Sequence, residues 1–152
     1  MKNHSLLLFF LFISSFVVGQ NHYLITVDQL HNRIKNGKDT TYIINFWATW
    51  CGPCIKEISH FEKLNKEYKS EKIKIILVSV DFKSQLETSV LPFIKKREIR
   101  SEVKLLNEVN QQDYINRIDP NWSGSIPATL FIKKDKNQKI ENLYCGLMDK
   151  QI

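Results

Sequence analysis

The chain has 152 residues, of which 43% are hydrophobic and 25% are charged, and its formal net charge is +6 at pH 7. This length and composition fit one domain with a full core. The basic residues are scattered along predicted helix faces without interleaved aromatic residues, which excludes a nucleic-acid footprint and leaves a solvated surface that can favour acidic partners.

The first stretch of the chain has the pattern of a signal peptide. Lys2 and His4 precede an apolar run over 6–18, which is too short for a permanent membrane span. We therefore predict a cleaved signal peptide over 1–19, one domain over 20–152, and export to an extracytoplasmic compartment, the periplasm. The alternative is an uncleaved N-terminal anchor.

An amphipathic helix is predicted next, after a short extended segment. Leu30 and Ile34 fall on one face of this helix. Thr26 or Asp28 can cap its start, and Gly37 suits the position after its last turn.

A buried strand is predicted over 42–47, because this apolar run has almost no polar interruption. A second apolar strand follows over 73–80, and a helix up to about Lys69 lies between them. Strand, helix and strand predict a right-handed crossover with parallel strands. The predicted inward face of the helix consists of Ile55, Ile58, Phe61, Leu64 and Tyr68.

The rest of the chain alternates short elements with polar turns. These are a helix over 84–97, a strand over 103–106, a short helix over 113–118 and an antiparallel pair of strands over 128–132 and 140–145. Pro92 lies inside the first of these helices and is expected to kink or split it.

Two cysteines stand where the first strand passes into its helix. Thiols at this spacing lie within disulfide distance, and Pro53 suits the first helical turn because its missing N–H would have had no partner there. The helix dipole would lower the pKa of Cys51 and make it the attacking thiolate. Cys54, one turn further in, would be shielded and would act as the resolving thiol.

The alternatives for this pair are a structural disulfide and half of a zinc site. A zinc site needs a second ligand pair, and Cys145, His31 and His60 have no such spacing. A c-type haem would require His where the chain has Ile55. We therefore interpret the pair as a redox site that uses neither a metal nor a cofactor.

The residues around the pair resemble the active-site signature of the thioredoxin superfamily. The match is carried by Phe46-Trp47-Ala48 and Trp50-Cys51-Gly52-Pro53-Cys54, and the resemblance extends from about Val27 to Gly146. With Asn45 and Lys56-Glu57, the motif looks most like the extracytoplasmic TlpA/ResA-like branch. The resemblance implies an α/β thioredoxin fold, with a central mixed β-sheet flanked by helices. The family pattern closes with a longer helix than residues 147–152 provide, so we expect either a shortened C-terminal helix or a clipped sequence.

The resemblance also implies roles for residues outside the cysteine pair. Ile126 and Pro127 match the family's cis-proline loop, which faces the cysteines and binds an extended substrate segment. Together with Trp50, Gly52 and Pro53, they are the expected substrate-binding residues.

Asn45 stands where cytosolic thioredoxin has a buried Asp, and an amide cannot accept a proton from Cys54. Glu57 is the alternative acceptor, since it lies on the same helix face as Cys54 and the TlpA/ResA-like branch has a functional Glu at this position. Burial would raise the pKa of Glu57 toward neutrality, where it could exchange protons with the resolving thiol. The other interpretation is an ordinary surface Glu.

Three further residues lie near the predicted site in the thioredoxin pattern. Trp47 is expected to pack beneath it. Trp122 either borders the substrate groove or anchors its own loop. Cys145 is either a third redox participant or a small buried strand residue.

The family resemblance implies an enzyme that exchanges electrons with protein disulfides. The Gly52-Pro53 dipeptide is that of thioredoxin, which favours a reductant with a potential of about −270 mV. Implied partners are protein disulfides, including those of apocytochrome c, and a membrane electron donor of the DsbD/CcdA type; we expect a monomer. The alternatives are a disulfide donor or isomerase, and a non-catalytic thioredoxin-fold binding module.

Overall fold

The computed structural model describes residues 22–37, 39–69, 72–134 and 139–145. Its strands are β1 (Leu24–Ile25), β2 (Thr41–Trp47), β3 (Ile73–Ser79), β4 (Glu102–Leu106), β5 (Ala128–Lys134) and β6 (Lys139–Cys145). Its α-helices are α1 (Val27–Asn36), α2 (Gly52–Glu67), α3 (Leu91–Lys96) and α4 (Gln111–Ile118).

The strands form one mixed sheet of six in the order β1-β4-β3-β2-β5-β6. Strands β2, β3 and β4 are parallel neighbours, and β5 runs antiparallel to β2 on its other side. The antiparallel β5–β6 pair and the parallel β2–β3 pair joined through α2 confirm the predicted connections.

Strand β2 is the centre of the sheet, and its alternating side chains divide the core in two. Tyr42, Ile44 and Phe46 face the side covered by α1 and α4. Ile43 and Trp47 face the side covered by α2 and α3. Since both faces are covered, every β2 residue after Thr41 is buried, which explains the uninterrupted apolar sequence.

The predicted helix over 84–97 is split, as Pro92 suggested. A 3₁₀ turn (Lys83–Gln85) and a π-helical turn (Leu86–Val90) precede α3, in which Pro92 lies in the first turn. Pro92 has no N–H to donate to the preceding turn, and the N–H of Leu91 reaches back to the carbonyl of Leu86 in the wider π spacing.

Helix α1 begins as predicted and ends differently. The Thr26 hydroxyl accepts a hydrogen bond from the N–H of Gln29, whose side chain bonds the backbone of Thr26 in return. Gly37 follows the helix with φ −67°, so a left-handed turn is not the reason for glycine. The reason is space, because a Cβ at Gly37 would lie 2.3 Å from the hydroxyl oxygen of the buried Tyr42.

The buried face of α2 does not extend as far toward the C-terminal end of the helix as predicted. Ile58 and Phe61 are buried, but Tyr68 lies just past the helix and is 38% exposed. Its inclusion in the core face was therefore wrong.

Both ends of the chain carry predictions that lie outside the described residues. These are the signal peptide over 1–19 and the shortened terminal helix over 147–152. Among the helices that the structure does describe, none combines the length and apolar character needed to cross a bilayer.

Candidate active site

The cysteine pair lies at the carboxyl end of β2, where the chain turns into α2. Cys51 is the N-cap residue of α2, and its sulfur accepts a hydrogen bond from the N–H of Cys54 at 3.3 Å. The two cysteines form a disulfide, with their Cα atoms 5.3 Å apart. The N-cap position places the Cys51 sulfur at the positive end of the helix dipole, which stabilises a thiolate.

The two cysteines differ slightly in their exposure to solvent. Cys54 is fully buried and Cys51 retains 6% exposure, whereas Trp50 beside it is 65% exposed. Gly52 and Pro53 are also exposed in the first turn of α2. A partner approaching from solvent therefore meets this turn and Trp50 and reaches Cys51 before Cys54.

The indoles of Trp47 and Trp122 have different surroundings. Trp47 is buried in the same apolar cluster as both cysteines and packs on Phe93, with ring centroids 5.1 Å apart. Trp122 belongs to the cluster on the opposite side of the sheet, and its Nε1 donates to the carbonyl of Ser125 at 2.9 Å. Of the two alternatives for Trp122, these contacts favour the anchor of its own loop.

The Ile126–Pro127 peptide bond is cis, as the resemblance implies. Ile126 packs against the cluster that contains both cysteines, and Pro127 is buried immediately before β5. The loop therefore lies at the end of the sheet that carries the disulfide.

A polar network lies beneath the disulfide between β2, β5 and α2. The side chain of Asn45 points to the α2 side of the sheet, and its Nδ2 donates to Oε1 of Glu57 at 2.7 Å. The same nitrogen donates to Oγ1 of Thr129, which is paired with Asn45 across the β2–β5 ladder, at 3.1 Å. All three residues are almost fully buried. Burial excludes the interpretation of Glu57 as an ordinary surface residue.

Two polar atoms near this network remain unpaired. Among the residues that the structure describes, Oδ1 of Asn45 and Nε1 of Trp47 are buried without a hydrogen-bond partner. Unpaired buried polar groups are uncommon in native proteins.

The network gives Asn45→Asp a pH-dependent effect on stability. Two carboxyl groups at the Asn45–Glu57 distance cannot both ionise, so the folded protein would hold a proton that the unfolded chain releases at lower pH. The stability of the variant is then retained in acid and lost as pH rises. We expect it to be close to wild type at about pH 4 and roughly 3 kcal/mol less stable at about pH 8.

Urea denaturation of Asn45→Asp and of wild type across this pH range checks the expectation. The matched control is Asn65→Asp, which makes the same change on the partly exposed side of α2 and should show no comparable loss. Equal pH dependence of the two variants would contradict the buried contact.

Sequence reasoning missed Asp81, which fixes the loop before the cysteines. Its carboxylate accepts hydrogen bonds from the N–H of Thr49 at 2.9 Å and from the Thr49 hydroxyl at 2.6 Å. The hydroxyl of Ser79 also donates to it, at 2.6 Å. The signal available was a buried strand ending directly in Asp, next in the sheet to the strand that leads to Cys51. Asp81 holds Thr49, and with it Trp50, against the end of β3.

Cys145 is the last residue of β6 and pairs with Ala128, the residue that follows the cis-proline. Its backbone is therefore at the same end of the sheet as the disulfide. Its side chain lies outside the described part of the structure, so both interpretations of Cys145 stand as predictions.

Comparison with curated proteins identifies relatives named as redox enzymes. The chain is 30% identical over 103 residues to the thiol-disulfide oxidoreductase ResA of Bacillus cereus, and the match covers 67% of this chain and 54% of that protein. It is 31% identical to ResA of Oceanobacillus iheyensis, over 80% of this chain and 58% of the relative. The chain thus spans little more than half the length of these relatives.

Solved structures show the same architecture. A thioredoxin-family thiol:disulfide interchange protein from Chlorobium tepidum superposes with a TM-score of 0.59 at 25% identity, covering 81% of each chain. StoA from Bacillus subtilis gives a TM-score of 0.56 at 21% identity, over 75% of this chain and 79% of StoA. These similarities confirm the thioredoxin fold.

The sequence profile of the AhpC/TSA family matches residues 23–141, a range that contains α1, the cysteine pair, the cis-proline and most of the β5–β6 hairpin. Since this match extends over far more than half of the chain, the chain belongs to the AhpC/TSA family.

Proposed function

We propose that the protein is a thiol-disulfide oxidoreductase that exchanges electrons with protein disulfides through Cys51 and Cys54. The observation that carries the proposal is the disulfide across the first turn of α2, with one sulfur at the helix N-cap and the other fully buried. A purely structural disulfide needs neither the dipole position nor the difference in access. The names of the ResA relatives support the same activity.

The chemistry proceeds in two exchanges that start from the reduced pair. The Cys51 thiolate attacks one sulfur of the partner disulfide, whose S–S bond breaks as a mixed disulfide forms and one partner thiolate leaves. The Cys54 thiolate then attacks the Cys51 sulfur, releases the second partner thiolate and closes the Cys51–Cys54 bond. Two electrons pass to the partner, and the oxidised pair is the state that the structure contains.

Glu57 is the proposed proton acceptor for Cys54. Both residues are buried on α2, and the Asn45 amide holds Oε1 of Glu57 from the opposite side. Buried Cys54 must lose its proton before it can attack, and water has little access to it. A carboxylate in this position supplies the base that solvent cannot.

The proposed substrate-binding surface surrounds Cys51. Trp50, Gly52 and Pro53 are its exposed part, and the Ile126–Pro127 loop offers backbone groups to an extended substrate segment. The carbonyl and N–H groups of an extended partner can pair with such a loop as an added strand does.

We further propose that the protein acts outside the cytoplasm as a reductant. The signal-peptide pattern and the Gly52-Pro53 dipeptide support this reading. A reductant in an oxidising compartment needs a supply of electrons, which a membrane donor of the DsbD/CcdA type would provide. The proposed substrate is the disulfide that forms between the cysteines of apocytochrome c before haem is attached.

The equilibrium potential of the Cys51/Cys54 pair tests the direction of electron flow. We expect about −270 mV for the mature protein titrated against defined dithiothreitol ratios. A value between about −120 and −180 mV would instead favour the disulfide donor or isomerase. A pair that cannot be reduced reversibly, or that reacts with no protein disulfide, would favour the non-catalytic binding module.

A further inference from the structure

Exposed large apolar side chains are concentrated at the end of the sheet that carries the disulfide. In the described part of the chain they are Trp50, Tyr68, Phe82 and Val109. Trp50, Phe82 and Val109 follow the carboxyl ends of β2, β3 and β4, which are parallel neighbours, so they lie along one edge. Tyr68 follows the C-terminal end of α2, the helix that begins at the disulfide, and so lies away from that edge.

Phe82 is attached to the redox loop through hydrogen bonds. It follows Asp81, whose carboxylate binds both the N–H and the hydroxyl of Thr49, the residue before Trp50. The residues that precede Trp50 and Phe82 in the chain, Thr49 and Asp81, are therefore hydrogen-bonded to each other. Trp50 and Phe82 remain exposed, at 65% and 67%, although burial would stabilise side chains of this size.

A cleft separates Phe82 from Val109. Its volume is about 100 Å³, and its lining combines Val80, Leu106 and Tyr114 with the polar residues Asp81, Lys83, Asn107 and Glu108. Cofactor and drug-like ligands occupy pockets of roughly 300–1,000 Å³, so this cleft has room for one side chain and no larger group. Burial raises the pKa of Tyr114, whose phenol therefore stays neutral.

The acidic groups around the cleft are already bonded within the protein. Asp81 binds Thr49 and Ser79, while Oε1 of Glu108 accepts the N–H of Val27 at 2.7 Å and its Oε2 lies 3.4 Å from a nitrogen of Arg117. A partner would therefore contact the exposed Phe82 and Val109, together with Lys83 and Asn107, which also line the cleft.

We infer that Phe82 and Val109, with the cleft between them, form a second docking position for the client polypeptide. This position binds an aliphatic side chain from the segment that flanks the client's cysteine. The inference rests on the proposed function and deepens it, because it assigns a substrate preference to residues outside the loops that border Cys51. A chain bound across Trp50 continues over Phe82 toward β4, since the strand order places these ends side by side.

The test uses synthetic disulfide peptides in which one leucine or one serine is placed at successive positions beside the cysteine. We expect wild type to reduce the best leucine peptide about ten-fold more efficiently in kcat/KM than its serine counterpart. Phe82→Ser and Val109→Ser should abolish this preference through KM, while reduction of the small 2-hydroxyethyl disulfide stays unchanged. Tyr68→Ser, at an exposed aromatic residue away from the edge, is the matched control and should keep the preference.

The outcomes separate the inference from the proposed function. A leucine preference that survives Phe82→Ser and Val109→Ser, or no preference in wild type, overturns the docking position. The docking position is also overturned if these variants lose self-association while their peptide reduction is unchanged. That result would mean that a second copy of the chain, and not a client, binds at Phe82 and Val109. Failure of wild type to reduce 2-hydroxyethyl disulfide as well as every peptide contradicts the oxidoreductase activity itself.

Discussion

Replacing Cys51 by serine is expected to lower the rate of protein disulfide reduction by on the order of 10³-fold or more, because the first exchange loses its nucleophile. Cys54→Ser should behave differently. It retains the attacking sulfur at the helix N-cap and lacks the buried thiol that resolves the mixed disulfide. The variant should therefore stop after the first exchange and stay covalently attached to its partner.

Insulin reduction with dithiothreitol as electron source measures the rates, and non-reducing electrophoresis with mass spectrometry detects the mixed disulfide. Trapping is done in a Cys145→Ser background, so that Cys51 is the only thiol left in the Cys54→Ser protein. Cys145→Ser alone is the matched control. Wild-type kinetics for it would support the interpretation of Cys145 as a strand residue, and a slower reaction would support a third redox participant.

Two results would contradict the assignment of roles. One is a Cys51→Ser protein that keeps wild-type activity. The other is a mixed disulfide that forms in Cys51→Ser through Cys54, because that sulfur is buried and has no direct path to a partner. The different roles of Cys51 and Cys54 thus follow from their positions at the start and the end of one helical turn.

The sheet around the site was predictable because the patterns that specify its strands and helix each lie within one short stretch of sequence. The apolar run of β2 has the length of a strand buried on both faces, and the helix after Cys54 repeats apolar residues at helical spacing. Those two patterns, with β3, determine a parallel crossover of known hand. The disulfide was expected from the spacing of Cys51 and Cys54 together with their place at the start of a helix.

The features that escaped prediction depend on contacts between distant segments. Asp81 looked like the end of a strand, and its bonds to Thr49 exist only because β2 and β3 are neighbours in the sheet. Gly37 looked like a helix terminator, whereas the Tyr42 ring is what excludes a side chain there. Trp122 could be assigned to one face of the sheet only after its packing on Phe46 was known.

Glu57 was partly predictable. Spacing along α2 puts it on the same face as Cys54, which left a buried and an exposed interpretation equally open. Glu57 is buried because α2 packs on the sheet, where Asn45 lies opposite it and pairs with Thr129 from a distant segment. A polar group opposite Glu57 on the sheet stabilises a carboxyl that would otherwise be costly to bury.

Glu57→Gln is expected to slow resolution of the mixed disulfide by roughly 10²-fold near neutral pH. The amide keeps the shape of the side chain and can still meet Asn45, but it cannot take the proton of Cys54. Resolution in the variant then depends on ionisation of the thiol into solvent, so its rate should rise with pH. The deficit relative to wild type is therefore largest near neutrality and shrinks in alkaline solution.

Rapid-quench measurement of mixed disulfide formation and decay from about pH 6 to 9 separates this effect from a structural one. Attack by Cys51 should be unchanged in Glu57→Gln, since that thiolate is stabilised by the N-terminus of α2. Glu67→Gln, which makes the same change at the exposed end of α2, is the matched control. If both variants resolve the mixed disulfide with the wild-type pH profile, Glu57 is not the proton acceptor and its role is to hold Asn45 in place. If Glu57→Gln slows only the resolution of the mixed disulfide, and does so most at neutral pH, then Glu57 is the group that takes the proton from Cys54.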